Sequence, residues 1–398
     1  MLKLLGRDSH PILAKTAAAM RVRDLLKGDH FQSASPAPFV GRYGYPEVNV
    51  GILAPPVRME NTWEYDAPRH WAKNDFQIPA IVDFRSSLIN SRFKADVRSK
   101  ERMLTISQEV GLASRPVDIE VTLKDRPDFQ AAFDNIALPL GPTAQLKKVE
   151  LTSNPHIPQQ VQHLADDDLR ASQGLSSLFD RGFDENYLSR ILSVGALGLE
   201  RNKKLVPTRW AITATDDTLG KHLHQEVLDF PEADLQAFFG GYLGNFYCII
   251  LLPGLWSYEL FEMYTPRSRW NRSPKLSYMT DYEGVTGRKD YAQNTVGGYY
   301  AARLAILEKL KQMKRQARVL TLRFITDDYS MPLGVWVVRE ATRKALQSQP
   351  LAFSEKRLAF TYAKSVALRK FGQGIDDIFE SSVLINKPEQ KGLMAFSK

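Results

Sequence analysis

Cysteine is almost absent from this chain of 398 residues, which contains one, Cys248. A single cysteine cannot close an internal disulfide, so the composition indicates a reducing compartment. Long apolar runs are also missing, and none approaches the roughly 20 residues of a membrane-spanning helix. Residues 1–25 carry charge throughout and lack the apolar block of a signal peptide. We therefore expect a cytoplasmic protein that does not use a membrane.

Several catalytic signatures are missing as well. The sequence has no Walker phosphate loop, no GxGxxG fingerprint and no nucleophile elbow, which argues against the common ATPases, dinucleotide enzymes and serine hydrolases. His222 and His224 lie two residues apart, as metal ligands on a strand do. The segment predicts a helix, however, on which the two side chains would point in different directions. The sequence therefore does not favour these two histidines as metal ligands.

A basic surplus is what the sequence does have. Lys and Arg number 53 against 45 Asp and Glu, which gives a net charge of +8 and a pI near 9.3. A surplus of this size favours an anionic partner, such as nucleic acid or an anionic membrane, although solubility alone would also account for it. Hydrophobic residues (43%) and charged residues (25%) stand at ordinary globular levels, so the chain can bury a core.

The predicted elements indicate an α+β fold, with a mixed or antiparallel sheet flanked by helices. Residues 117–123 alternate between apolar and polar, which predicts a half-buried strand, and the apolar run at 246–252 predicts a fully buried one. Residues 86–100 predict a helix with a basic surface. Strands and helices mix without regular βαβ alternation or an internal repeat. The predicted regions are an N-terminal one over 1–200, a C-terminal one over 201–385 and a flexible tail over 386–398.

The apolar run ends in a turn at Pro253 and Gly254, which the sequence predicts is followed by a half-polar strand and then by a cationic and aromatic loop. Arginine forks bind phosphates and aromatic faces stack on exposed bases, so the loop favours DNA or a similar polyanion. A solvated loop with its tryptophan anchored in the core is the alternative. Arg42, in the separate loop GRYGYP, is a further candidate for DNA binding. The alternative for that loop is a tight turn with packed tyrosines. The predicted DNA-binding residues are Arg42, Arg267, Arg269, Trp270, Arg272, Lys275 and Arg288.

A set of carboxylates accompanies this loop. Nucleases that use Mg²⁺ or Mn²⁺ need two to four carboxylates that converge on the metal, usually with a lysine nearby. Asp281 and Glu283 with Lys289 and Glu259 form the candidate catalytic set. Their spacing matches no strict motif, and structural roles for these acids are the alternative.

Long blocks of the sequence occur in an order typical of a known family. They are HPILAK and FVGRYGYPEVNVGILAPP within 10–56, RWAITATDDTLGK at 209–221, ILLPGLWSYELFEMYTPRSRWN, DYEG, GRKDYA and GGYYAAR within 250–303, and LGVWVVREA at 333–341. Together these blocks resemble the archaeal Nre family of DNA-repair proteins over most of the chain. The resemblance implies a role in repairing DNA damage such as crosslinks, and contact with the sliding clamp (PCNA) through a short C-terminal motif.

The N-terminus departs from one form of that family. Some members carry a four-cysteine zinc module there, whereas residues 6–11 read GRDSHP. Because the thiolate ligands are missing, we expect no structural zinc.

The C-terminal tail carries residues that match the family's clamp-binding motif. Gln390, Leu393 and Phe396 have its spacing of glutamine, aliphatic and aromatic residues. One helical turn places the aliphatic and aromatic side chains on one side, ready for an apolar pocket. Ser397 stands where a second aromatic residue is usual, which predicts reduced affinity. A free tail with a stray phenylalanine is the alternative.

These observations lead to one main hypothesis and two alternatives. The main hypothesis is a DNA-repair protein, associated with the nucleoid, that binds damaged or branched DNA and is recruited by the sliding clamp. The first alternative is a metal-dependent nuclease or another lesion-processing enzyme built on the carboxylate set. The second is a scaffold without DNA contact, which the basic charge disfavours.

Overall fold

The structure, a computed structural model, describes residues 11–128 and 138–387. Two compact units share these residues: unit 1 holds those up to Leu219 together with Met331–Gly334, and unit 2 holds Gly220–Ser330 and those from Val335 onward. The sequence analysis placed a boundary after residue 200. The two units divide further along the chain, inside a helix.

Unit 1 is built on one six-stranded sheet with helices. Its described elements are α1 (Pro11–Leu25), β1 (His30–Ser35), β2 (Ala37–Val40), β3 (Glu47–Ala54), α2 (Pro68–Lys73), α3 (Ile78–Ser86), β4 (Ile89–Asp96), α4 (Arg102–Leu112), β5 (Val117–Leu123), β6 (Thr143–Leu151), α5 (Gln159–Asp166), α6 (Ala171–Asp180), α7 (Glu185–Ser193) and the start of α8 (Thr208–Val227). The strand order is β1-β5-β6-β4-β3-β2, and only the β4–β6 pair is parallel. The alternation at 117–123 gives β5, as predicted.

Strand β4 stands where the sequence predicted a helix over 86–100, and that prediction is wrong. Phe93 and Ala95 point into the core of unit 1, whereas Arg92 and Lys94 point to the other face. This alternation has the period of two that a strand requires. Pairing with β3 on one side and β6 on the other fixes the extended backbone, and such tertiary pairing overrides local propensity.

Unit 2 also carries a six-stranded sheet. Its described elements are the remainder of α8, β7 (Gln236–Tyr242), β8 (Asn245–Leu252), β9 (Ser257–Tyr264), β10 (Ser277–Glu283), α9 (Val296–Met313), β11 (Arg318–Ile325), α10 (Trp336–Gln347), β12 (Leu351–Ala352), α11 (Lys356–Phe371), α12 (Asp376–Ser381) and α13 (Val383–Asn386). The strand order is β10-β9-β11-β8-β7-β12, and only the β9–β11 pair is parallel. The sheet is therefore mixed.

The central strands of unit 2 are buried on both faces. Cys248, Leu322 and Phe261 pack on one face in a cluster that includes three alanines of α11. Burial raises the pKa of the Cys248 thiol to about 12, so this cysteine is a core residue. The segment after the turn, β9, is more deeply buried than the half-polar strand that the sequence predicted. Its acidic residues therefore need partners inside the fold.

Both units confirm the predicted α+β fold class. Across the part of the chain that the structure describes, no helix combines the length and the apolar character needed to cross a membrane.

Candidate functional site

The loop between β9 and β10 is held in one shape by its own hydrogen bonds. Asn271, only 8% exposed, donates from Nδ2 to the carbonyl oxygens of Tyr264 (3.0 Å) and Lys275 (2.8 Å). Ser268 donates from Oγ to the carbonyl oxygen of Thr265 at 2.7 Å. The backbones of Ser268 and Asn271 exchange two further hydrogen bonds, of 3.0 and 3.2 Å. A loop tied together in this way presents a fixed surface.

Trp270 anchors this loop to the rest of unit 2. Its indole stacks on the ring of Tyr329, with the ring centroids 5.1 Å apart and the planes 16° from parallel. Its Nε1 also donates to the carbonyl oxygen of Tyr329 at 2.6 Å. One face of the indole is thus covered by protein. Of the two interpretations left open by the sequence, these contacts match the anchor.

Four cations of the loop extend into solvent. They are Arg267, Arg269, Arg272 and Lys275. Arg269 is held by its backbone N–H, which donates to Oδ1 of Asp327 at 3.0 Å, and by Nη1, which donates to the carbonyl oxygen of Ser330 at 3.1 Å. Its ion pair with Asp327 spans 4.0 Å at an exposed position, where such pairs neutralise little charge. The structure therefore places five of the predicted DNA-binding residues, these four cations and Trp270, on one rigid loop.

Arg288 and Arg42 lie outside this loop. Arg288 contacts Oδ1 of Asp281 at 3.1 Å and donates to the carbonyl oxygens of Tyr282 and Asp290, each at 3.0 Å. The guanidinium of Arg288 is therefore engaged by neighbouring residues of the protein. Arg42 belongs to unit 1, and Lys289, predicted as part of the catalytic set, is exposed.

The predicted carboxylate set divides between the two faces of the unit 2 sheet. In the antiparallel pairing of β9 with β10, Glu259 lies opposite Tyr282, and Tyr258 lies opposite Glu283. Opposed residues share a face of the sheet, and successive residues alternate between faces. Glu259 therefore points away from Asp281 and Glu283. The structure therefore does not bring Glu259 together with Asp281 and Glu283 around one metal ion.

Asp281 organises the start of α9. Its Oδ2 accepts hydrogen bonds from the backbone N–H groups of Thr295 (2.8 Å) and Asn294 (3.1 Å) and from Oγ1 of Thr295 (2.9 Å). Its Oδ1 lies beside Arg288. Both carboxylate oxygens are thus used by the fold.

Glu283 lies in a buried polar network. It accepts from Nη1 of Arg303 at 2.9 Å and from Nε1 of Trp256 at 3.1 Å, and the Glu283 and Arg303 side chains are 1% and 2% exposed. The ring of His224 packs against Trp256, with centroids 5.7 Å apart. Burial lowers the pKa of His224, with Glu283 opposing that shift and Arg303 adding to it. Burial therefore favours the neutral form of this imidazole.

Glu259 caps the last described helix, α13. It accepts hydrogen bonds from Oγ of Ser382 (2.5 Å) and from the backbone N–H groups of Val383 (3.0 Å) and Leu384 (2.9 Å). A carboxylate at a helix N-terminus is stabilising because it meets unpaired N–H groups and the positive end of the helix dipole. Glu259 therefore fixes the chain just before the C-terminal tail. The clamp-binding residues Gln390, Leu393 and Phe396 lie outside the described residues.

A cleft of about 420 Å³ in unit 1 has charged walls that the fold itself uses. Arg69 pairs with the buried carboxylate of Glu185. Arg190 donates to the carbonyl oxygens of Pro36 (2.6 Å) and Ala113 (2.8 Å). This cleft therefore offers a ligand few open charges.

Sequence reasoning missed a smaller pocket on the sheet of unit 1, lined in part by Asn90, Arg92 and Arg209. The period-two alternation from Asn90 to Lys94 was the signal that could have found it. The segment was assigned to a helix, so its polar residues were not placed on one face of a sheet. Arg42 also lines this pocket.

Comparison with known proteins identifies the class to which this α+β chain belongs. The family models described as "Archaeal Nre, N-terminal" and "Archaeal Nre, C-terminal" match residues 4–271 and 283–396. The chain therefore belongs to the archaeal Nre family, as the sequence resemblance predicted. No solved structure matches it.

Curated relatives cover most of the chain. A Haloferax volcanii protein named DNA repair protein NreA is 38% identical over 340 residues, which are 83% of this chain and 81% of the relative. DNA repair protein NreB of Archaeoglobus fulgidus is 36% identical over 381 residues, 95% of this chain and 94% of the relative. DNA repair protein NreA of the same organism is 36% identical over 369 residues, 90% of each chain.

Proposed function

We propose that this protein acts in DNA repair by binding damaged or branched DNA and by docking on the sliding clamp, PCNA. The names of its curated relatives support the repair role. One observation carries the DNA-binding part: four cations extend into solvent from a single loop that the fold holds rigid. They are Arg267, Arg269, Arg272 and Lys275.

The chemistry of these side chains fits the DNA backbone. Guanidinium forks bind phosphate oxygens bidentately, and a loop that is already ordered loses little conformational entropy on binding. Phosphate contacts position a protein on DNA but carry no base sequence. The proposed loop therefore recognises the arrangement of phosphates, which is what changes at a branch or a distorted site.

Affinity measurements on a charge-depleted loop test this proposal. A variant with Arg267→Gln, Arg272→Gln and Lys275→Gln is expected to bind a branched duplex at least about tenfold more weakly in fluorescence anisotropy at constant salt, because phosphate contacts dominate such affinities. The matched control removes the same charges from exposed positions of α11, with Arg357→Gln, Arg369→Gln and Lys370→Gln. Equal losses of DNA affinity in the two variants would show that the loop is not the DNA-binding site.

The clamp-docking part rests on the family resemblance and on the residues Gln390, Leu393 and Phe396. A peptide that docks in this way uses its aliphatic and aromatic side chains as apolar anchors, and such anchors dominate binding. Leu393→Ala with Phe396→Ala is expected to weaken PCNA binding at least about tenfold in surface plasmon resonance. Ser397→Phe is expected to strengthen it by restoring a second aromatic residue. Lys398→Ala serves as the control, and unchanged binding by the double variant would refute the motif.

We assign stability roles to the predicted catalytic carboxylates. Asp281, Glu283 and Glu259 each have hydrogen-bond donors of their own, and they lie on two faces of one sheet. These partners compensate for the burial of the three carboxylates, so we propose no catalytic role for them.

A further inference from the structure

A row of residues crosses the outer face of the unit 1 sheet. Phe39 of β2 is paired with Gly51 of β3, and Gly51 is paired with Arg92 of β4. Paired residues share a face, whereas their chain neighbours Val50 and Phe93 point into the core. Phe39, Gly51 and Arg92 therefore line the face that is turned away from the core. Because Gly51 has no side chain, the amide of Asn90 lies over it, in the space that a Cβ would take.

A pocket of about 260 Å³ lies beside this row and has a strongly cationic wall. Arg42, Arg92 and Arg209 line it, and none of its described lining residues is acidic. Arg42 and Arg92 form no ion pair among the described residues, and guanidinium groups that line one small space repel each other unless an anion lies between them. The pocket is therefore built for an anionic ligand. Phe39 and Tyr43 add aromatic surface on which a planar group can pack.

Two buried polar atoms of this wall lack partners. Asn90 is 4% exposed, and its Oδ1 has no hydrogen-bond partner among the described residues. The same holds for Nε of Arg92. Buried polar atoms are almost always hydrogen-bonded, so these two atoms are candidates for contact with a ligand in the pocket. The amide of Asn90 also needs a glycine beside it, because a Cβ on Gly51 would lie 1.8 Å from Oδ1.

The chain next to the pocket continues this chemistry. Trp210, which follows Arg209, is 45% exposed and packs against Tyr45 with ring centroids 5.3 Å apart. Lys204 donates from Nζ to the hydroxyl of Tyr45 at 3.0 Å. Exposed aromatic rings interleaved with cations are typical of surfaces that follow a single strand of nucleic acid.

We propose that this pocket binds one nucleotide. Its phosphate lies among Arg42, Arg92 and Arg209, the Asn90 amide contacts its polar edge, and its base packs on Phe39. The nucleotide comes either from a DNA strand or from solution as a free mononucleotide. The pocket belongs to unit 1, whereas the proposed DNA-binding loop belongs to unit 2, so each can fail without the other.

Isothermal titration of the full-length protein with dAMP and with deoxyadenosine tests the pocket. We expect dAMP to bind at least about tenfold more tightly than deoxyadenosine, since charge-assisted contacts to phosphate are strong. Arg92→Gln is expected to weaken dAMP binding at least about tenfold. The matched control is Lys94→Gln, which removes a charge from an exposed position on the same strand and the same face, and should change binding less than about twofold.

Additional measurements check the folding of the variant and separate the two sources of the nucleotide. Circular dichroism melting checks that Arg92→Gln is folded. If it is not, Arg42→Gln replaces it and is expected to weaken dAMP binding about threefold or more. Titration with a five-residue oligo(dA) separates the sources: tighter binding than dAMP, lost with Arg92→Gln, identifies a strand nucleotide, and dAMP binding alone identifies a free one. The loop variant with Arg267→Gln, Arg272→Gln and Lys275→Gln should still bind dAMP. If neither dAMP nor oligo(dA) binds in a manner that depends on the pocket arginines, the proposal is overturned.

Discussion

Strands β9 and β10 and the loop that joins them use charge in opposite ways. On the strands, Glu259, Asp281 and Glu283 are buried, and each accepts hydrogen bonds from partners elsewhere in unit 2. In the loop, the cations are exposed while neutral contacts, such as the stacking of Trp270, hold the backbone. Both groups are conspicuous in the sequence. Of the loop cations, Arg269 alone pairs with an acid among the described residues, so Arg267, Arg272 and Lys275 remain for an outside partner. Charge therefore indicates binding where the fold does not use it.

The largest expected effect comes from Glu283→Ala, which sharpens the comparison on the strand side. This change leaves the buried guanidinium of Arg303 without its carboxylate, and breaking such a pair costs about 3–5 kcal/mol. We expect this loss in the free energy of unfolding measured by urea denaturation. The control is Asp290→Ala, an exposed acid seven residues on, for which about 0.5 kcal/mol or less is expected. Similar losses in both variants would mean that the Glu283 network contributes little.

Glu259→Ala is expected to have a smaller and more local effect. It removes the acceptor for Oγ of Ser382 and for the N–H groups of Val383 and Leu384, and loss of a helix cap costs about 0.5–2 kcal/mol. Amide hydrogen exchange at Val383 and Leu384 should accelerate, because the base of the tail is released. Unchanged exchange at these two amides would contradict the capping role.

Trp270→Phe tests whether the loop's aromatic residue is an anchor. Phenylalanine keeps a ring against Tyr329 but loses the hydrogen bond from Nε1, a loss of about 1 kcal/mol. We expect that destabilisation in thermal melting, with DNA affinity changed less than about twofold. If DNA affinity falls tenfold while stability is unchanged, Trp270 is a base-stacking residue and the comparison breaks down.

Buried His224, which lies beside the Glu283 network, is expected to make the stability of the protein depend on pH. Burial lowers its pKa in the folded state below the ordinary value of about 6.5, so the unfolded chain binds a proton first as the pH falls. Its contribution to stability is complete above pH 6.5 and is lost as the pH falls towards the folded-state pKa. The melting temperature of the His224→Phe variant should therefore decline less between pH 7.5 and 5.5 than that of the wild type. An equal decline would show that other groups carry the dependence.

The sequence predicted elements well where local periodicity matched the tertiary environment. The alternation at 117–123 gave β5 with its bounds, and the apolar run at 246–252 gave β8 within one residue. It failed at β4, because basic residues on the outer face of the sheet resembled the polar face of a helix. The candidate loop was also found, since its cations are close together along the chain.

The partners of the buried acids could not be predicted. Glu259 and Leu384 are 125 residues apart in the chain, and no local pattern connects them. The pocket of unit 1 has the same origin, because Phe39, Gly51 and Arg92 become neighbours only through strand register. Contacts of this range follow from topology, which a single sequence does not specify.

The salt dependence of DNA binding tests the central claim most directly. Each phosphate that a protein neutralises contributes about −0.9 to the slope of log K against log salt for duplex DNA. If the loop cations bind phosphates, the variant with Arg267→Gln, Arg272→Gln and Lys275→Gln should show a slope that is shallower by about 0.9 for each phosphate that it no longer neutralises. The α11 control should keep the wild-type slope. Identical slopes for the wild type and the loop variant would contradict the account.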